Sequence, residues 1–165
     1  MRMVQLRQKK ISSMSSFSNR IVNWYKSNGR HDLPWRKNIS PYSIWISEIM
    51  LQQTQVKTVV PYFNKFIKKY PNLDALLKAS EDEILAQWSG LGFYRRAKNI
   101  YKACRVISED FNNKLPININ DLESLPGIGR STAGAIMSIA FNKGHPILDA
   151  NVKRVLGRYK KISFK

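Results

Sequence analysis

A chain of 165 residues, 43% apolar and 11% aromatic, can pack one globular domain, or one and part of a second, which excludes wholesale disorder. Its 28 Lys and Arg against 11 Asp and Glu give a net charge of +17 and make a polyanionic partner the first expectation. No run of about 18 apolar residues or secretory-type leader is found, and a lone Cys104 cannot build a disulfide framework or a cysteine-only metal cluster, so a reducing cytoplasm is expected.

In chain order, helical periodicity and caps recur without any strand alternation, and the fold class is all-α. Phe17, Ile21, Trp24 and Tyr25 line one face of a first helix closed by Asn28-Gly29. Ser40-Pro41 opens a second, with Ser as cap and Pro in its first turn, running to Leu51. Thr54 is expected to cap a third, whose Val56, Val59, Val60, Phe63, Phe66, Ile67 and Tyr70 repeat at helical spacing until Pro71. Ser80-Glu-Asp-Glu83 is a capping box for a helix to Trp88. Gly90-Leu-Gly92 interrupts the pattern before a long basic helix from Phe93 to about Asn112. A short helix near Asp121 leads into Leu125-Pro-Gly-Ile-Gly129, followed by helices over 131–141 and from Ala150 to about Tyr159.

The charge is unevenly spread. Residues 1–47 hold nine bases and one acid, Asp32, and residues 124–165 hold eight bases and one acid, Asp149. Two cationic regions of this kind suit nucleic acid, although a composition rich in Lys, Ile and Asn is also what an AT-biased gene would give.

Three features could carry chemistry. Gly127 and Gly129 permit a tight turn between helices with bare backbone N–H groups, backed by the positive end of the next helix; such a hairpin can hold a phosphate without reading sequence, or be an ordinary interhelical turn. Asp149 directly precedes a helix, the usual place of an N-cap, and capping does not exclude catalysis. Glu48 shares a helix face with Ile44, Trp45 and Leu51. A carboxyl there either escapes along the helix flank or pairs with a base, or is buried with a raised pKa, as a general acid at neutral pH requires. His31 and His145 have no second His or Cys at ligand spacing and are read as loop residues, so no metal site is expected.

Five blocks in order, Leu33-Pro-Trp35, Ser47 to Val56 (containing Leu-Gln-Gln-Thr), Trp88-Ser-Gly-Leu-Gly92, Leu125 to Gly134 and Ile147 to Val155, resemble the signature of the adenine DNA glycosylase (MutY) family within the helix–hairpin–helix DNA glycosylases. The resemblance covers roughly residues 17–160. It implies a base-excision repair enzyme that hydrolyses the N-glycosidic bond of adenine mispaired with guanine or 8-oxoguanine in double-stranded DNA. Glu48 and Asp149 would be catalytic: Glu48 protonates adenine N7 in the extruded base, and Asp149 stabilises the oxocarbenium-like sugar. Trp35, Arg36 and Leu51 would line the adenine pocket, with core packing as the other reading of Trp35 and Leu51. Gln52 and Gln53 would fill the space vacated in the duplex or contact the mispair, unless they are generic loop residues. Leu125, Pro126, Gly127, Ile128, Gly129 and Arg130 would form the phosphate-binding hairpin. Ser131 stands where bifunctional relatives carry a Schiff-base lysine, which implies a monofunctional enzyme without strong lyase activity. Phe93 stands where the family usually has a wedging tyrosine, keeping the stacking face without the hydroxyl.

The resemblance further implies residues 1–15 as a basic, disordered tail and 16–160 as the catalytic region. Family members continue into a segment with four cysteines binding a [4Fe–4S] cluster, and into a domain that reads oxidised guanine; neither is present here. Partial exposure of the apolar face formed by Phe17, Ile21 and Trp24 is therefore expected. A monomer without membrane association is expected, cytoplasmic and nucleoid-associated if bacterial. The alternative is a catalytically impaired truncated remnant that retains non-specific DNA binding.

Overall fold

The computed structural model describes residues 17–161; the tail expected at residues 1–15 lies outside the described residues. The chain divides into two units, residues 1–33 and 34–165.

In the first unit, residues 17–28 form helix α1. Its end is closed by Gly29 N–H donating to Tyr25 O at 2.7 Å and by the Asn28 side-chain amide on Trp24 O. The His31 ring meets Tyr25 edge-on and shares a hydrogen bond with Tyr25 O at 3.1 Å. Ile21 and Trp24 are exposed, as expected, and so are Val22 and Tyr25, whereas Phe17 is half-buried.

The second unit is built from α2 (Pro34–Lys37), α3 (Pro41–Leu51), α4 (Val56–Lys69), α5 (Leu73–Leu77), α6 (Glu81–Trp88), α7 (Arg95–Phe111), α8 (Ile119–Ser124), α9 (Arg130–Ala140) and α10 (Ala150–Lys160), with no strand among the described residues. Helix α3 is its centre. It packs against α2, α4, α7 and α9, and Ile44, Trp45, Ile46 and Met50 are wholly buried, as befits a helix apolar on nearly every side. Val59 and Phe66 of α4, Trp88 of α6, Ala103 and Ile107 of α7, and Ile136 of α9 complete the core.

The caps follow the sequence. Ser40 and Ser43 form a reciprocal capping box on α3, and Ser80 and Glu83 do the same on α6, each engaging two otherwise unpaired donors. Gly90 and Gly92 have φ of 91° and 78°, the left-handed region that glycine enters without strain. Asn112, also left-handed, closes α7.

Three details depart from expectation. Thr54 is not the cap of α4: its N–H is engaged by Leu51 O and its hydroxyl turns back to Gln52 O, so Gln55 takes the position without a side-chain bond. The turn after α3 is too tight to free Thr54. Helix α7 starts at Arg95, not Phe93, because Phe93 is itself left-handed, φ 51°. Helices α2 and α5 are too short to show periodicity. Helix α4 runs through Pro61, as does the helix expected from Thr54 to Tyr70, and that residue lies on the exposed side.

Candidate active site

Glu48 lies three residues from the end of α3 between fully buried Ser47 and Ile49. The residue as a whole is half-buried. Burial holds its pKa above the ordinary 4.5; the nearby Arg36 guanidinium opposes that rise and the Asp149 carboxylate adds to it. The fold therefore brings together in one electrostatic neighbourhood three residues separated in sequence, from α2, α3 and the start of α10.

Asp149 is the N-cap of α10, its Oδ1 accepting from Val152 N–H at 2.7 Å. The positive end of that helix complements a carboxylate. The segment leading to it, residues 142–149, is irregular and crosses α9 at Gly134, where an added Cβ would stand 3.4 Å from both Ile147 Cγ1 and Pro146 O. Ser138 of α9 pins the same segment, accepting from His145 N–H and donating to His145 O. The interval between hairpin and aspartate thus has a physical origin: α9 is the ruler, and its small residues let the returning chain lie against it.

The hairpin itself joins α8 to α9. Leu125 and Ile128 are buried anchors, Pro126 and Gly127 are half-buried, and Gly129 and Arg130 are exposed. Gly127 has φ 82°, and a Cβ there would come within 2.8 Å of Asn99 on α7. Gly129 caps α9 with no side-chain bond. Ser40, Asn72, Ser80, Asn118 and Asp149 place an oxygen on the first turns of α3, α5, α6, α8 and α10; the first turn of α9, like those of α4 and α7, receives no such side-chain bond. Ser131, second in α9, is half-buried.

The remaining candidates divide. Trp35 is a core residue, 3% exposed and edge-on to Phe63 with centroids 5.2 Å apart. Leu51 is half-buried at the end of α3. Gln52 is a strut: its side-chain amide donates to Gly127 O at 3.1 Å and to Thr132 Oγ1 at 3.3 Å, tying α3 to the hairpin. Gln53 and Phe93 are exposed, both left-handed. Sequence reasoning missed Arg96, which is buried and donates to carbonyls of both the α3 end and Gly92. Its only signal was its place in a helix read as uniformly basic.

No cluster of three or more metal-ligating side chains occurs among the described residues. A [4Fe–4S] cluster takes four cysteine thiolates, and this chain has one cysteine. Cys104 is buried in α7 with its thiol pushed up to about 12 by burial. The residues present do not fit that group. Two exposed ion pairs, Lys69–Glu83 and Lys98–Glu81, form among the described residues, leaving most of the positive charge uncompensated.

The family model of the HhH-GPD superfamily base excision DNA repair proteins matches residues 46–164. An adenine DNA glycosylase of Buchnera aphidicola subsp. Schizaphis graminum is 56% identical over 143 residues, 87% of this chain and 41% of the relative. The adenine DNA glycosylase of Rattus norvegicus is 40% identical over 161 residues, 92% of this chain and 31% of the relative. The chain therefore spans less than half the length of these relatives. Among solved structures, a thermostable thymine-DNA glycosylase superposes with a TM-score of 0.84 at 32% identity, covering 90% of this chain and 68% of that one.

Proposed function

Because the chain belongs to the HhH-GPD superfamily of base excision DNA repair proteins, we propose that it is a monofunctional DNA glycosylase removing adenine mispaired with guanine or 8-oxoguanine. The observation that carries this reading is the Glu48 carboxyl, held above its ordinary pKa by burial and by the facing Asp149. Two carboxyls in one neighbourhood, one of them favouring its proton, divide the work of glycosidic cleavage.

Adenine is a poor leaving group as an anion. Glu48, whose protonated form burial favours, donates its proton to N7 of the extruded base, so the base departs neutral as the C1′–N9 bond breaks. Positive charge then grows on the sugar at C1′. Asp149, its Oδ1 engaged with Val152 N–H, turns its other oxygen to that charge, a preorganised electrostatic stabilisation. Water adds to C1′ and gives up a proton to the Glu48 carboxylate, leaving the neutral abasic site and the acid restored. Arg36 keeps the Glu48 pKa from rising further, which preserves a usable proton affinity.

Binding rests on the open N-terminal turn of α9 and the bare Gly129, where backbone N–H groups can meet a phosphate, within the field of a +17 chain. Gln53 after α3 and Phe93 before α7 are exposed, as is Tyr94 beside Phe93, and Gln53 and Phe93 fit the roles of probing and wedging the duplex. Gln52, bonded to the hairpin, fits a supporting role better than a probing one. A remnant that only binds DNA is not favoured, because Glu48, Asp149 and the hairpin are all retained.

The test is single-turnover cleavage of a duplex with adenine opposite 8-oxoguanine. Abasic product formed by the wild-type chain and lost by at least about 100-fold in Glu48→Gln is expected. Tight binding with no product would overturn the reading.

A further inference from the structure

Arg96 is the one charged residue in the buried class among the described residues, 6% exposed, and no carboxylate faces it. Its partners are backbone carbonyls. Nη1 donates to Met50 O at 2.7 Å, to Ile49 O at 3.3 Å and to Gln52 O; Nη2 donates to Gly92 O at 3.0 Å. The guanidinium lies over the rings of Trp88, 5.5 Å from its centroid, and Phe93, 5.1 Å. A cation at the C-terminal carbonyls of α3 matches the negative end of that helix, so the burial has an electrostatic reason. It has a conformational one as well.

Among the described residues, six non-glycine residues have left-handed φ. Three are asparagines, the type that tolerates this region, and Lys161 closes α10. The other two are Gln53, φ 57°, and Phe93, φ 51°. Both are exposed, and Phe93 shows 56% of its surface. A glutamine or phenylalanine stays in this region only where the surroundings over-determine it. The carbonyls of Gln52 and Gly92 belong to the peptide groups leading into Gln53 and Phe93, and Arg96 binds both. One side chain therefore fixes the planes from which two strained, outward-facing residues project.

We propose that Arg96 is a positioning residue that sets the Gln53 and Phe93 turns as a coupled pair, fixing the spacing of the two side chains that enter the duplex. This rests on the reading of the chain as a glycosylase acting on mispaired DNA. A planar fork reaches both turns; a lysine, with a single ammonium, does not bridge them equivalently.

The experiment uses the full chain and Arg96→Lys. In the free protein, amide hydrogen exchange should quicken about tenfold or more at residues 52–54 and 92–95 together, while α4 and α9 change by less than about twofold. In single-turnover assays on adenine opposite 8-oxoguanine, the rate should fall about 10- to 100-fold with affinity for undamaged duplex held within about twofold. Gln53→Ala and Phe93→Ala should be coupled in the wild-type background and additive with Arg96→Lys. Exchange rising in one turn only, in neither, or uniformly across the chain overturns the proposal. Should Arg96→Lys fail to fold, the Gln53/Phe93 cycle in the wild-type chain decides: coupling supports, additivity overturns. If wild type shows no glycosylase activity the functional reading fails, and the exchange result still judges Arg96.

Discussion

Gly127 and Gly129 stand two residues apart in one hairpin, yet their environments demand different outcomes. Alanine at Gly127 would be held at φ 82° with its methyl 2.8 Å from Asn99 Cβ and Nδ2. The left-handed backbone costs an L-residue about 1–2 kcal/mol, and relieving an overlap inside packed structure costs about 1–3 kcal/mol more. Gly127→Ala should therefore lose about 3 kcal/mol, lowering Tm by about 6–12 °C for a chain of this size. At Gly129 the φ is −90°, and nothing lies within 4 Å of an added Cβ. Gly129→Ala should lose less than about 1 kcal/mol of stability. Its methyl nevertheless sits at the open first turn of α9, so affinity for any duplex should fall about tenfold at low salt, alike for matched and mismatched DNA. Thermal melts and anisotropy titrations on a matched duplex at two salt concentrations separate the two effects. Equal destabilisation by both variants refutes the packing argument; full affinity in Gly129→Ala refutes the phosphate role.

On the proposed mechanism the reaction uses the Glu48 proton, so the single-turnover rate should decline as pH rises through its elevated pKa. Arg36 opposes that elevation, so Arg36→Gln should move the falling limb to higher pH; a limb that stays or moves down contradicts the assignment. Stability carries the opposite sign from a salt-bridged acid. The folded chain holds the Glu48 proton more tightly than the unfolded chain at 4.5, so wild-type stability falls as pH climbs between those values. Glu48→Gln should be no more stable than wild type at about pH 4 and more stable at about pH 8 by denaturant midpoints, and a constant offset would disprove the linkage. With Ser131 in place of a lysine, borohydride should trap no covalent DNA complex with the wild-type chain. A trapped band would show a Schiff base and end the monofunctional reading.

What the sequence made legible was local or anchored in a motif. Ser40, Ser80, Asn112 and the Gly90 and Gly92 pair act within a few residues of themselves, so their effects could be read in one dimension. Glu48 and Asp149 were found as motif members; that they share a field with Arg36 required α3 to sit at the centre with α9 beside it. Arg96 was missed because its partners lie 44–47 residues back on α3 and four residues back at Gly92. A buried guanidinium among carbonyls looks, in sequence, like any surface base. Thr54 failed for a related reason: a capping residue is recognised by type, whereas the tightness of the preceding turn decides whether it is available.

Asp149 begins a helix and, on the proposed mechanism, also meets the charge at C1′, so the two duties can be dissected by choice of substituent. Asparagine preserves the oxygen that α10 leans on while removing the negative charge, whereas alanine discards both and frays the helix by about 1 kcal/mol. Architecture alone is therefore met by the neutral isostere, and the negative charge at this position is what only the proposed chemistry would call on.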